Sequence, residues 1–178
     1  ALRDDFHLPG MKVLQFAFDD PKDNDMLPYR FTTSNCICYT GTHDNPTTLG
    51  WYLALPEKIQ DRIRRYLNTD GRMIHFDLIR AAMGSIAKYS IYPLQDLLGF
   101  GNDCRMNTPS VPSGNWAFRY RPEHLSIGLS TYLRSITELY GRCEPLKQDD
   151  EDEEEEETSE TDSCSDKETT SADISVKN

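Results

Sequence analysis

The stretch from Cys36 to Tyr52, CICYTGTHDNPTTLGWY, runs from an apolar segment straight into an imidazole and a carboxylate on adjacent residues, His43 and Asp44. A buried strand has no packing use for that pair at its end. Chemistry does: a carboxylate accepts hydrogen bonds or stabilises positive charge, and an imidazole donates, accepts or moves a proton near neutral pH. Around the pair, Gly41 permits an unusual turn or the close approach of a ligand. Thr40 and Thr42 can tie the loop down with short hydrogen bonds. Two other readings stand beside a catalytic one: a polar loop in which Asp44 helps to cap the next helix, and a metal site. The remaining histidines, His7, His75 and His124, are isolated and share no ligand spacing with the pair, so no metal ligands are assigned.

The elements that must position this loop are read from periodicity. Residues 10–18, GMKVLQFAF, form a near-continuous apolar run between Pro9 and Asp19-Asp20-Pro21, the pattern of a strand buried on both faces. Residues 35–41, NCICYTG, and 89–94, YSIYPL, repeat it. Helices fall between and after these runs. Asn45 as N-cap and Pro46 in the first turn open one, and Pro56 opens another with Ile59, Ile63, Tyr66 and Leu67 inside. Ile74, Leu78, Ala82 and Ile86 form a third stripe. From Pro122, Leu125, Leu129, Tyr132, Leu133, Ile136 and Tyr140 form a fourth that ends near Gly141. His75 and His124 fall in helix turns, as surface or packing residues. Trp51 and Tyr52 are expected in the core, Gln95 and Asp96 as fixers of a loop backbone, and Trp116 as a buried anchor of the last loop, with a place for Gly114-Asn115-Trp116 near the rim of a groove as the alternative. The alternation predicts an α/β fold with a parallel sheet, but three strands leave two open edges, so the order looks like the end of something larger.

Charge divides the chain. Residues 148–178 hold 14 acidic and two basic residues, whereas residues 1–147 hold 16 and 17, so the body is nearly neutral. No clustered basic face points to nucleic acid. Nine consecutive acids, Asp149 to Glu157, followed by Ser and Thr, predict a disordered acidic tail over 147–178, either an interaction or phosphorylation segment or a solubilising extension. No apolar run reaches the length of a membrane span, and the first residues lack the pattern of a signal peptide. Five scattered cysteines, Cys36, Cys38, Cys104, Cys143 and Cys164, suit a reducing compartment. The cytoplasm is expected, with a plastid as the alternative.

Four motifs in order, LPGMKVLQFAF, YTGTHDNPTTLGWY, YPLQDLLGFG and RMNTPSVPSGNWAFRY, are similar to the C-terminal part of the 4-α-glucanotransferases, the amylomaltase or disproportionating enzyme family, glycoside hydrolase family 77. The resemblance runs from about Leu2 to Gly141. It implies that residues 1–146 are the C-terminal portion of a (β/α)8 TIM barrel, with its last three strands and their helices. It implies transfer of α-1,4-glucan segments between malto-oligosaccharides, or to glucose, by a retaining double displacement without a cofactor. Asp44 then matches the family's third carboxylate, His43 a residue that binds hydroxyls of the reacting sugar, and Asn107 a further substrate contact. The nucleophile and acid/base would lie upstream, so the N-terminal remainder of the barrel is required as a partner. The segment PYRFTTSN departs from the more histidine- and asparagine-rich sequence of relatives, on the acceptor side. Two alternatives remain at this point. One is a non-catalytic fragment that binds glucan or a partner. The other is a metallophosphoesterase-like site, because Gly-x-His-Asp resembles that family's Gly-Asn-His-Asp signature.

Overall fold

The three apolar runs pair side by side in a computed structural model, which describes residues 2–19 and 24–143; the expected tail at 147–178 and the boundary before it lie outside the described residues. Strands β1 (Gly10–Val13), β2 (Cys36–Tyr39) and β3 (Tyr89–Ile91) form a parallel sheet in the order β1-β2-β3. Gly10 faces Cys36, Val13 faces Tyr39, and Tyr39 faces Ile91 across the ladder. Helix α1 (Leu2–Asp5) precedes β1. Between β2 and β3 come α2 (Thr48–Ala54), α3 (Glu57–Leu67) and α4 (Ile74–Met83). After β3 follow the short α5 (Leu94–Leu97) and then α6 (Ile127–Leu139).

One sheet face carries the core. Cys36 and Cys38 point from β2 into a cluster with Tyr52 of α2, Ile63 of α3, and Ile74, Leu78 and Ala82 of α4. A second cluster joins the far side of α4, through Ile79 and Met83, to Ile136 of α6. The other sheet face stays open: Met11, Tyr89 and Ile91 are exposed there. Among the described residues the strands are therefore covered on one face only, the side on which helices α2 to α4 pack.

Four element boundaries differ from expectation. The apolar run of β1 stops being a strand at Val13, and residues Leu14–Phe16 form a 3-10 turn. Helix α2 is capped by Thr47, whose hydroxyl accepts from the Gly50 amide at 3.1 Å, rather than by Asn45. Asn45 is engaged elsewhere: its side-chain oxygen accepts from the Thr42 amide and hydroxyl at 2.9 and 2.7 Å. Helix α4 ends before Ile86, which is exposed. Pro122 opens only a 3-10 turn, and α6 starts after Ser126, whose hydroxyl caps Leu129. Leu125 is left exposed. After α6, the Arg142 guanidinium donates to the carbonyls of Met83, Ser85 and Ala87, closing the C-terminal end of α4 as a cation does best.

Gly50 illustrates how tightly α2 meets the loop after β3. Within a free helix, alanine for glycine is favourable by about 1 kcal/mol. Here an added Cβ would lie 2.6 Å from Asn102 Cβ and 3.0 Å from its backbone nitrogen. Gly50→Ala is expected to destabilise the fold by about 1–3 kcal/mol, read as a lowered denaturation midpoint.

Candidate active site

The loop after β2 is held by side chains from the segments that follow its two neighbouring strands. From the turn after β1, buried Gln15 donates through Nε2 to the Pro46 carbonyl at 3.0 Å. It passes where Gly41 has no side chain, since a Cβ there would come within 2.6 Å of that nitrogen. Gly41 thus makes room for Gln15. From α5, buried Asp96 accepts the Thr40 hydroxyl at 2.6 Å, the Thr48 hydroxyl at 2.7 Å and the Thr48 amide at 2.7 Å. Its neighbour Gln95 donates to the Cys104 carbonyl at 3.1 Å, anchoring the next loop. Both residues fix loop backbone, as expected.

On this base the three candidate residues converge. Asn107 donates through Nδ2 to Asp44 Oδ1 at 2.6 Å, and His43 Nε2 lies 3.4 Å from the same oxygen. The Asn107 amide also donates to the His43 carbonyl at 3.1 Å. Asp44 Oδ2 accepts no hydrogen bond among the described residues, and the carboxylate is half-exposed. Asp44 does not cap α2, because Thr47 does. One carboxylate oxygen is therefore tied and the other is open, with an imidazole donor alongside.

Arg105, to which the sequence assigned no role, and Trp116, which takes the groove-rim place rather than the buried one, complete the arrangement. Arg105 donates to the Asp44 carbonyl at 2.6 Å and to the Asn107 carbonyl at 2.7 Å. Trp116, expected as a buried anchor, is 56% exposed and stacks on the His43 ring, with centroids 5.2 Å apart. It adopts a φ of 61°, a conformation that costs a non-glycine residue about 1–3 kcal/mol. The turn around it is held by Asn115, which accepts from the Thr108 amide at 2.9 Å and donates to the Val111 carbonyl at 2.8 Å, and by the Trp116 amide, which donates to the Met106 carbonyl at 2.8 Å. The Gly114-Asn115 pair was the available signal, since both residues favour irregular turns. A groove of about 650 Å³ runs between His43, Arg105 and Trp116 on one side and Met11, Tyr39 and Ile91 of the open sheet face on the other. Asp44 and Asn107 do not line this groove; the Asp44 side chain is half-exposed beside it.

Other chemistry is disfavoured. Burial pushes the Cys38 thiol up to about 12 and raises Cys36 too, so neither is a thiolate nucleophile at neutral pH. Among the described residues, no group of three or more His, Cys, Asp or Glu could hold a metal ion, which leaves the phosphoesterase alternative without a ligand set there. His124 lies in the turn before α6, where its Nδ1 accepts the Arg121 amide at 3.2 Å. No helix among the described residues is long and apolar enough to cross a membrane.

His75 is buried on α4, with its Nδ1 unpartnered among the described residues. Burial lowers its pKa below the ordinary 6.5, against the opposing pull of Asp96 and Asp77. As pH falls below 6.5 the unfolded chain takes up that proton before the folded one does. Stability is then expected to decline from near neutrality downwards until folded His75 also protonates, by at most about 1.4 kcal/mol per pH unit. Denaturant unfolding across that window checks this, and a His75→Leu variant lacks that component of the slope.

The family model of glycoside hydrolase 77, 4-alpha-glucanotransferase, matches residues 1–126. A 4-alpha-glucanotransferase of Synechocystis is 51% identical over 143 residues, covering 80% of this chain and 28% of the relative. The chloroplastic/amyloplastic 4-alpha-glucanotransferase of Solanum tuberosum is 41% identical, covering 79% of this chain and 25% of the relative. A solved amylomaltase from Streptococcus agalactiae, in complex with acarbose, superposes with a TM-score of 0.76 at 32% identity, over 80% of this chain and 29% of that one. The chain thus spans about a quarter to three-tenths of the length of these relatives.

Proposed function

The chain belongs to the 4-alpha-glucanotransferase family, and on that premise we propose that it supplies the third carboxylate, Asp44, to a retaining transferase acting on α-1,4-glucans. Donors and acceptors are malto-oligosaccharides, with glucose as a further acceptor. In this reading residues 1–146 are the last three strands and helices of a (β/α)8 barrel, and 147–178 are a disordered acidic tail. Barrels of this kind carry their reactive side chains on the loops after the strands, where His43 and Asp44 lie. The open sheet face with Met11, Tyr89 and Ile91 is then the side that the preceding strands cover. The similarity to an amylomaltase solved with acarbose supports binding of malto-oligosaccharides. No cofactor enters. The cytoplasm suits the reading, with a plastid as the alternative.

Retention requires two carboxyl groups about 5–5.5 Å apart, and both come from the N-terminal remainder of the barrel. One attacks the anomeric carbon while the other protonates the departing glycosidic oxygen. The acceptor hydroxyl then displaces the enzyme carboxylate and gives its proton back to the second group. Asp44 performs neither step. Its Oδ2 accepts hydrogen bonds from hydroxyls of the reacting ring, and these strengthen as the ring flattens towards an oxocarbenium ion. His43 donates to the same ring. Asn107, with Nδ2 engaged by Asp44, keeps its amide oxygen for a sugar hydroxyl.

The observation that carries the proposal is the Asp44 carboxylate itself: one oxygen held at 2.6 Å by Asn107, the other free, on the loop that follows parallel strand β2. The test is incubation of the protein carrying its preceding barrel segment with maltotriose. Glucose or maltose together with longer oligosaccharides is the expected result. Shortened products without longer ones would mean hydrolysis and would contradict transfer.

A further inference from the structure

We infer that Arg105 is the positioning residue of the Asp44 carboxylate, acting by clamping the backbone of two loops; its kinetic consequence rests on the proposed glucan transfer. The two loops come from different strands, residues 40–47 after β2 and residues 102–107 after β3 and α5. Left alone, two carbonyl oxygens brought together repel. Arg105 Nη2 takes the Asp44 carbonyl at 2.6 Å, and Nε takes the Asn107 carbonyl at 2.7 Å. A guanidinium is a planar fork with donors at fixed angles, so it sets the separation of these oxygens as well as neutralising them. Two further bonds follow the same seam: the Asn107 amide to the His43 carbonyl at 3.1 Å, and Asn107 Nδ2 to Asp44 Oδ1 at 2.6 Å.

The consequence is directional. Asp44 Oδ1 is occupied because Asn107 is held opposite it, and Oδ2 is thereby aimed away from the seam. If the clamp is lost, Asn107 can move off and the carboxylate is free to rotate about its χ angles. Substrate can still bind through its other contacts, but the carboxylate meets the distorted ring at the wrong distance. A displacement of about 1 Å at such a group is worth about 100-fold in rate. Lysine cannot replace the clamp, because an ammonium is a point charge and does not span two carbonyls at fixed angles.

The test compares Arg105→Ala and Arg105→Lys with the parent protein carrying its whole barrel, using maltotriose. Both variants should lose about 30- to 100-fold in kcat, with KM within about 3-fold. Guanidinium chloride at tens of millimolar should restore part of the Arg105→Ala loss, whereas methylammonium should not. Melting temperatures show whether each variant is folded. A near-parental kcat, or a loss confined to KM, overturns the inference. If the parent transfers no glucan, the proposed function fails and the clamp is judged by hydrogen exchange. The Asn107 amide should then exchange faster in Arg105→Ala and slow again with guanidinium, and unchanged exchange overturns the clamp.

Discussion

Asp44→Asn, in the protein carrying its whole barrel, is expected to lower kcat by about 1,000-fold while changing glucan binding only several-fold. The replacement preserves size and shape, so the groove and its seam survive. What changes is what the reacting sugar meets. Asn107 Nδ2 still needs an acceptor at the Oδ1 position, so the new amide must turn its oxygen there. Its NH2 then occupies the position of Oδ2, presenting a donor where the ring hydroxyls need an acceptor. The negative charge that favours an oxocarbenium-like ring is lost with it. Both effects grow from ground state to transition state, and so they appear in kcat. Steady-state kinetics with maltotriose and calorimetric binding of maltoheptaose separate the two quantities. Equal losses in both would mean that Asp44 only binds.

Asp96→Ala is expected to cost about 3–5 kcal/mol of stability, more than any other single change proposed above. Asp96 is 1% exposed, and both its oxygens are used: Oδ1 by the Thr48 amide, Oδ2 by the hydroxyls of Thr40 and Thr48. Alanine leaves a buried backbone N–H and two hydroxyls without their acceptor and opens a cavity beside them. Asparagine is a milder test. Its oxygen can keep the Thr48 amide while its NH2 donates to hydroxyls that rotate to accept, so Asp96→Asn should cost only about 1–2 kcal/mol. Denaturant titration gives both values. Similar losses for the two variants would show that charge, rather than acceptor geometry, holds the loops.

The sequence made the framework legible because apolar runs and helical stripes report burial directly. Three parallel strands and the helices between them were readable in that way, whereas the ties at Thr40, Thr42, Gln95 and Asp96 were read from polar residue types in loop positions. Where the reading went astray, a hydrogen bond decided against a pattern. The run of β1 stays apolar past Val13, yet the chain turns so that buried Gln15 can reach Pro46. Asn45 has the composition of a cap, but its oxygen is spent on Thr42, and Thr47 takes the position. For Trp116 the sequence offered a buried anchor before the rim of a groove, because large aromatic side chains are mostly buried; the structure takes the second, against His43. Within the site, motif resemblance named His43, Asp44 and Asn107. It gave no hint of Arg105, because its bond to Asp44 spans 61 residues and leaves no local signature.

The most direct measurement is a crystal structure of the protein with its whole barrel and a non-hydrolysable malto-oligosaccharide mimic. The account predicts that Asp44 Oδ2 lies within about 2.5–2.9 Å of a hydroxyl on the sugar ring between the two upstream carboxyls, with Oδ1 still on Asn107. A ring seated between those carboxyls that leaves Asp44 beyond hydrogen-bonding distance would contradict it.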